Sequence, residues 1–441
     1  MIQLGQILFI LSVLVILHEL GHYIAAKIFK VRVEKFYLFM DAGFSLIKKK
    51  IGETEWGIGW LPIGGYVKLS GMMDESMDVE QMKQPAQPWE FRSKPAWQRL
   101  IIMLGGIIVN ILLAWFIYTS IYSIYGQKYI STEKLQKNGL AFGETGLKVG
   151  FKNGDKILAV DGAYQERFNR MTLDILLGEK IDIERNGQKK TIILTDEQKG
   201  EIIGKEGKDF IKPRLSEIAI DSMLSTSEIK KAGAKKGDKI VALNGVDFEY
   251  FDVLGDRLNA FKKDSVAITV IRNNEKITFK TLVDENGKLG FFPLFNDKLD
   301  FQIVNKLGIA DAISEAIDES WQLFVYNIKQ FKLILRPKTE AYKHVKSPVG
   351  IARALPDEWN WEFIWNFTAL FSIGLAFMNL LPIPGLDGGH ALFTIAEMIT
   401  GKKLSEKSAG YVQTAGMIIL LTLMALTFGK DIYELIMDKF F

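Results

Sequence analysis

The chain contains no cysteine in 441 residues. That excludes a disulfide framework and any thiolate metal site, so a metal could be held only by nitrogen and oxygen. It permits an oxidising compartment without requiring one. Histidine is scarce too, with four in all: His18, His22, His344 and His390. Net charge is only +3 and no basic block interleaves with aromatics, which leaves no argument for nucleic acid as a partner. Basic residues are also missing ahead of the first apolar run, which continues through Tyr23-Ile24-Ala25-Ala26 before Lys27. A cleaved signal has a basic start and a shorter core, so this run is read as a retained span.

What is present is apolar residue in bulk. Hydrophobic residues make up 48% beside 24% charged, and mean hydropathy is +0.10. Such a mixture concentrates its apolar residues into segments, as in a membrane protein with a soluble insert, and the length allows two to four domains. Four stretches approach the roughly 20 residues needed to cross a bilayer: Leu4–Ala26, Leu100–Tyr122, Phe363–Leu381 and Val412–Phe428. Lys27, Lys30, Arg32 and Lys35 follow the first, Arg92, Lys94 and Arg99 precede the second, and Lys402, Lys403 and Lys407 separate the third from the fourth. Positive residues mark the cytoplasmic side, so residues 125–360 and both termini are expected outside it.

Between the first two spans, Gly43–Ile47, Lys48-Lys49-Lys50 and Glu55–Trp60 read as a β-hairpin, followed by Leu61–Leu69, rich in glycine and β-branched residues. Apolar strands beside a span suggest backbone dipping to membrane depth, and a small cytoplasmic sheet is the alternative. Met72–Gln87 is polar, acidic and Met-rich, and is expected to be mobile. Further on, Gly154-Asp155-Lys156-Ile157-Leu158-Ala159-Val160-Asp161-Gly162 recurs as Gly237-Asp238-Lys239-Ile240-Val241-Ala242-Leu243-Asn244-Gly245. Each copy leads to a second strand ending in a tight turn, which implies two small β-rich modules. Ile309, Ile313, Ile317, Trp321, Phe324, Ile328, Phe331 and Leu335 form a helical apolar stripe. It fits a helix lying on the outer leaflet or one packed on the second module.

Chemistry concentrates in His18-Glu19-Leu20-Gly21-His22, inside the first span. At 3.6 residues per turn the two imidazoles share a face, can bind one Zn²⁺, and leave Glu19 to act on a water. Ionisable groups inside a span are expensive and usually functional. A third ligand must come from another span, and Asn379–His390 offers two, Asp387 and His390, where Pro382 and Pro384 break a helix. A His₃ site is as plausible on chemistry alone as one with Asp387. His344 stands in a polar stretch and reads as a surface residue, and Glu362 lies at a span edge.

Taken in order, His18–His22, Gly57-Ile58-Gly59-Trp60-Leu61-Pro62-Ile63-Gly64-Gly65-Tyr66-Val67-Lys68 and Asn379–His390 resemble the site-two protease family of intramembrane zinc metalloproteases. The tandem repeat resembles two PDZ domains, pointing to the bacterial branch that regulates sigma-E. Phe91–Arg99 and Ser347–Ala352 also resemble family stretches. One departure is Gly105-Gly106 ahead of Asn110, where the family usually shows Gly-Pro, which bears on the second span's geometry and not on the metal set.

The resemblance implies zinc on His18, His22 and Asp387, Glu19 as general base, and Asn379 holding substrate backbone. Gly64, Gly65 and Tyr66 would present a strand edge to substrate along Gly59–Leu69. The fold expected is a polytopic α-helical membrane protein with about four spans, a membrane-associated β-hairpin or re-entrant loop, and two PDZ-like domains between the second and third spans. Its parts would be a first span over 1–30, the β region over 31–95, a second span over 96–124, PDZ-like domains over 125–208 and 209–295, an amphipathic helix and linker over 296–360, a third span with the Asp387 motif over 361–390, and the fourth span with the C-terminus over 391–441. The implied partners are single-span membrane proteins of anti-sigma-factor or signal-peptide-remnant type, already trimmed outside, together with membrane lipid. The implied place is the bacterial inner membrane, with the PDZ-like domains periplasmic and the histidine motif toward the cytoplasm. Two alternatives stand beside this reading. An inactive PDZ scaffold with a structural metal has no use for Glu19, and an ion transporter needs more intramembrane carboxylates than Glu19 and Asp387.

Overall fold

The computed structural model describes residues 2–62, 64–72, 85–205, 207, 210–214, 219–224, 227–293, 301–353, 355–402 and 406–440. Most of the Met-rich stretch, and Ile63 of the glycine-rich one, lie outside the described residues. The chain forms two compact units: Met1–Gly126 with Lys306–Lys332 and Val345–Phe441, and Gln127–Asn305 with Leu333–His344.

The first unit begins with α1, Ile2–Ile28, whose buried residues include Ile7, Ile10, Leu14, His18, Gly21 and Ala25. Steps of three and four put them on one stripe, so the histidines belong to the packing face of the helix. That stripe meets α2, Ala96–Tyr125, which buries Ile102, Gly106, Asn110, Ala114 and Ile117 in the same periodicity. A Cβ on Gly21 would run into the Gly105 carbonyl, and one on Gly105 would lie 2.6 Å from the Gly21 carbonyl. The two backbones touch there because neither residue has a side chain.

Between these helices the chain builds a four-stranded sheet from β1 (Val33–Leu38), β2 (Met40–Ile51), β3 (Thr54–Leu61) and β4 (Tyr66–Leu69), in the order β2-β3-β1-β4. The β2–β3 hairpin follows the expected pattern. The open edge does not: β3 lies inside the sheet, parallel to β1, so the edge expected along Gly59–Leu69 is confined to β4. β4 pairs antiparallel with β1, and Leu69, Val33 and Ala26 share a core with Ile102 and Met103 of α2.

α3, Ile309–Ile334, packs Ala312 and Ala316 against Ala114, Ile117 and Tyr118 of α2. Ile309, Ile313, Ile317 and Trp321 remain exposed. Alanines therefore make the contact with α2 while these four face outward, and Phe324 and Phe331 of the same stripe lie edge-on against Phe377. α4, Trp361–Leu380, is capped by Asn360, which accepts from the Phe363 amide at 3.0 Å. It ends before the Asp387 motif, and a separate helix α5, Asp387–Thr400, follows the Pro382–Pro384 break. α6 covers Glu406–Phe440. Among the described residues, α1, α2, α4 and Gly410–Tyr433 of α6 are long and apolar enough to cross a membrane. Asp431 falls inside the last of these, a carboxylate absent from the intramembrane set expected above. It is 1% exposed, and its Oδ2 accepts from the backbone amides of Ser347 at 2.6 Å and Gly350 at 3.2 Å.

The second unit holds two cores. One gathers Leu140, Phe151, Ile157, Ile181, Ile183 and Phe210, the other Ile220, Ile240, Leu254, Val266, Ile268 and Val270. The repeat is kept down to side chains. Arg185 grips Asp155 at 2.7 and 2.6 Å, and Arg272 grips Asp238 at the same distances. In each copy the aspartate also accepts a backbone amide at 2.8 Å, from Lys152 or Lys235. Asp161-Gly162 and Asn244-Gly245 adopt positive φ at both residues, as two-residue hairpin turns require. Two later segments return to the first core: Ile211–Pro213 pairs with Leu140–Phe142, and Gln302–Asn305 pairs with Gln127–Ile130.

Candidate metal centre

α1 brings His18 and His22 to one level of the α1–α2 contact, both buried at 8% and 6% exposure. The third group arrives from the far end of the chain. α4 stops at Leu380, the chain reverses through the two prolines, and α5 starts on Asp387. Gly389 permits this reversal, since a Cβ there would lie 2.6 Å from the Ile383 carbonyl. Gly416 of α6 backs the break, because a Cβ on it would strike the Pro384 carbonyl. Asp387 thus sits in the first turn of a helix, where partial positive charge favours a carboxylate.

The three groups converge. Asp387 Oδ2 lies 3.2 Å from His18 Nε2 and 3.3 Å from His22 Nε2, and the two Nε2 atoms are 3.4 Å apart. Ligand atoms about 2.0–2.2 Å from one tetrahedral zinc lie roughly 3.3–3.6 Å from each other. Asp387 Oδ2 is moreover buried with no hydrogen bond of its own. A nearly equilateral triangle of lone-pair atoms, one of them an orphan, fits a zinc ion held by two nitrogens and one oxygen. Among the described residues this is the group of ligand atoms that falls within 4.8 Å, and His390, one turn along α5, is not part of it.

Other candidates from the sequence gather nearby. Asn379 presents Nδ2 to His18 Nε2 at 3.1 Å. Gly65 abuts α1, where a Cβ would lie 2.6 Å from Val15 Cγ1 and 3.3 Å from Glu19 Cγ, so the turn before β4 reaches Glu19. Gly64 is open, with nothing within 4 Å of a Cβ position. Tyr66 joins through its backbone in β4, while its hydroxyl donates to Asp41 at 2.9 Å and its ring stacks on Tyr37. Burial, and after it the Asp41 carboxylate, favour the neutral phenol and push Tyr66 well above its usual range. His344, the remaining histidine, lies in the second unit.

Three groups of α2 bear on the site in a way the sequence reading did not assign, although it names Gly106 and Asn110 as a departure that concerns the span's geometry alone. The Ile102 carbonyl accepts from His22 Nδ1 at 2.8 Å, Asn110 Nδ2 lies 3.1 Å from His18 Nδ1, and a Cβ on Gly106 would lie 2.5 Å from His18 Cε1. The departure at Gly105-Gly106 leaves α2 an unbroken helix. A backbone carbonyl has no sequence signature, but the 102-106-110 spacing on a span facing the histidines was a signal available for use.

The pattern of peptidase family M50 matches residues 6–423. The chain belongs to peptidase family M50. It is a zinc metalloprotease of the site-two type and a membrane protein. It is 28% identical to the regulator of sigma E protease of Haemophilus influenzae, over 98% of this chain and 99% of that one. It is 27% identical to the regulator of sigma-E protease of Escherichia coli over the same shares. A protein of Borreliella burgdorferi described as a zinc metalloprotease is 28% identical over 97% of both chains. With that membership, the triangle on α1 and α5 is the candidate zinc centre of this M50 peptidase.

Proposed function

We propose that this M50 peptidase hydrolyses a peptide bond of single-span membrane proteins within or at the edge of the bilayer. The observation that carries the residue assignment is the His18–His22–Asp387 triangle with its unpartnered carboxylate oxygen. Zinc bound there supplies Lewis acidity toward a carbonyl and lowers the pKa of water toward 7. Glu19, adjacent to His18 in α1, takes the proton from the attacking water and returns it to the leaving amine. The Asn379 amide, close to the same triangle, holds substrate backbone. The turn at Gly64-Gly65 and the edge of β4 line an extended segment up beside Glu19, by strand addition with little demand on side-chain identity.

A helical substrate hides its own amides, so it must unwind before it can pair with β4. The two β modules act as PDZ-like domains on the extracytoplasmic side and exclude proteins with bulky ectodomains, so substrates arrive already trimmed. The histidine motif lies toward the cytoplasm, from which water reaches the metal. The Haemophilus influenzae and Escherichia coli relatives are named for the regulation of sigma E, and a single-span protein that restrains a sigma factor is one substrate class in keeping with this reading.

The test is Glu19→Gln in the full chain, with a single-span substrate and zinc content read together. Zinc content should hold while cleavage falls by on the order of 10²–10⁴-fold, the usual contribution of a positioned general base. Cleavage that survives the substitution would remove Glu19 from this role.

A further inference from the structure

The His18 ring faces a side-chain amide at each nitrogen: Asn379 Nδ2 at Nε2 and Asn110 Nδ2 at Nδ1, both 3.1 Å away. A neutral imidazole carries one N–H and one acceptor lone pair. If Nε2 gives its lone pair to a metal, the ring's proton is on Nδ1, and an amide nitrogen there would set donor against donor. Asn110 is fully buried, and its Oδ1 has no hydrogen-bond partner. Half a turn of that amide exchanges Oδ1 for Nδ2 at almost no change in shape. It turns the donor–donor contact into a hydrogen bond and gives the orphan oxygen a partner.

We infer that Asn110 is a positioning residue for the metal centre: its Oδ1 accepts the Nδ1–H of His18 and holds the ring in the tautomer whose Nε2 faces His22 and Asp387. The inference rests on the zinc reading of the triangle. His22 is served in the same way by the Ile102 carbonyl, which can only accept. Residues 102, 106 and 110 stand one turn apart on α2. The helix therefore supplies an acceptor to each imidazole from two of these positions and leaves room for both rings at the third, Gly106. Asn110 is itself fixed from α4, where Ser372 Oγ donates to its backbone carbonyl at 2.7 Å. Outer partners of this kind orient a ligating histidine, and losing one typically costs 10–100-fold in metal affinity.

The experiment measures Zn²⁺ affinity of the detergent-solubilised full chain by chelator competition, with the visible spectrum of the Co²⁺-loaded protein as a second readout. Asn110→Leu keeps the volume and removes the acceptor. Asn110→Asp keeps the acceptor and adds a charge. The expected result is a 10–100-fold weaker Zn²⁺ affinity and an altered Co²⁺ spectrum for the Leu variant, with both restored in the Asp variant. A packing role predicts the reverse, because a buried apolar position tolerates Leu better than Asp. Parent-like affinity in Asn110→Leu overturns the inference, and so does equal loss in both variants. His22→Ala is the separate control: if it binds Zn²⁺ as tightly as the parent, the ligand assignment fails and this inference with it.

Discussion

Gly106 leaves its Cβ position to the His18 and His22 rings, with Cε1 of one at 2.5 Å and Nε2 of the other at 2.6 Å from where a methyl would sit. Alanine is the better helix former by about 1 kcal/mol, so Gly106→Ala separates helix stability from site geometry. We expect kcat/KM to fall about 100-fold while helical content is kept, because displacements near 1 Å are enough for losses of that size. Substrate cleavage and circular dichroism on one preparation check it. Residue types at the site were largely legible in the sequence. Histidine and glutamate inside an apolar helix demand an explanation, and so does an aspartate after two prolines. The choice of Asp387 over His390 was not legible from chemistry alone, because it depends on where α5 begins. Nor was the service of Asn110 and the Ile102 carbonyl to the imidazoles, since such acceptors are defined only by what the neighbouring helix places against them.

At the scale of elements, the β2–β3 hairpin could be read from its glycines and alternation, whereas β1–β3 pairing is parallel and nonlocal, so no local pattern distinguished an inner strand from an edge. The same applies to Asp431, which reads as a charge near the end of a span until its partners are known. It accepts from the buried Ser347 amide and the part-buried Gly350 amide at the start of the short helix Pro348–Arg353. Asp431→Ala should therefore destabilise that attachment by about 1–3 kcal/mol, the cost of unpaired buried donors. Faster hydrogen exchange across residues 347–353 is the measurement. In the second β module, burial alone would push the Asp238 carboxyl up, but the Arg272 guanidinium and the Lys235 amide outweigh it and hold it below the ordinary carboxylate range. A carboxyl lowered in the folded state contributes stability that is complete above its unfolded value and is lost as pH falls through the folded one. Exchange protection of the strand Lys239–Leu243 should accordingly be complete at pH 5 and fall as the pH drops below the ordinary carboxylate range. Asp238→Asn should remove that acid dependence.

For the whole molecule, the division into two units puts the candidate metal centre wholly in the first. Zinc that binds the folded state and not the unfolded one adds about 2.7 kcal/mol at a free concentration one hundred times Kd. Chelation should therefore lower the unfolding transition of the helical unit and leave that of residues 127–305 in place. Calorimetry in detergent with and without chelator reads both transitions, and a shift of the β unit alone would contradict the assignment of the site to α1 and α5.

The ligand set also has a calendar. His18 and His22 are synthesised well ahead of Asp387, which follows His22 by 365 residues. Through all of that interval a nascent chain has the two imidazoles without the Asp387 carboxylate to join them. The closing of the triangle waits on α4, the proline break and the start of α5. On the proposed ligand set, hydrolytic competence waits on residue 387, and a chain truncated before it carries the histidine motif as an inert pair.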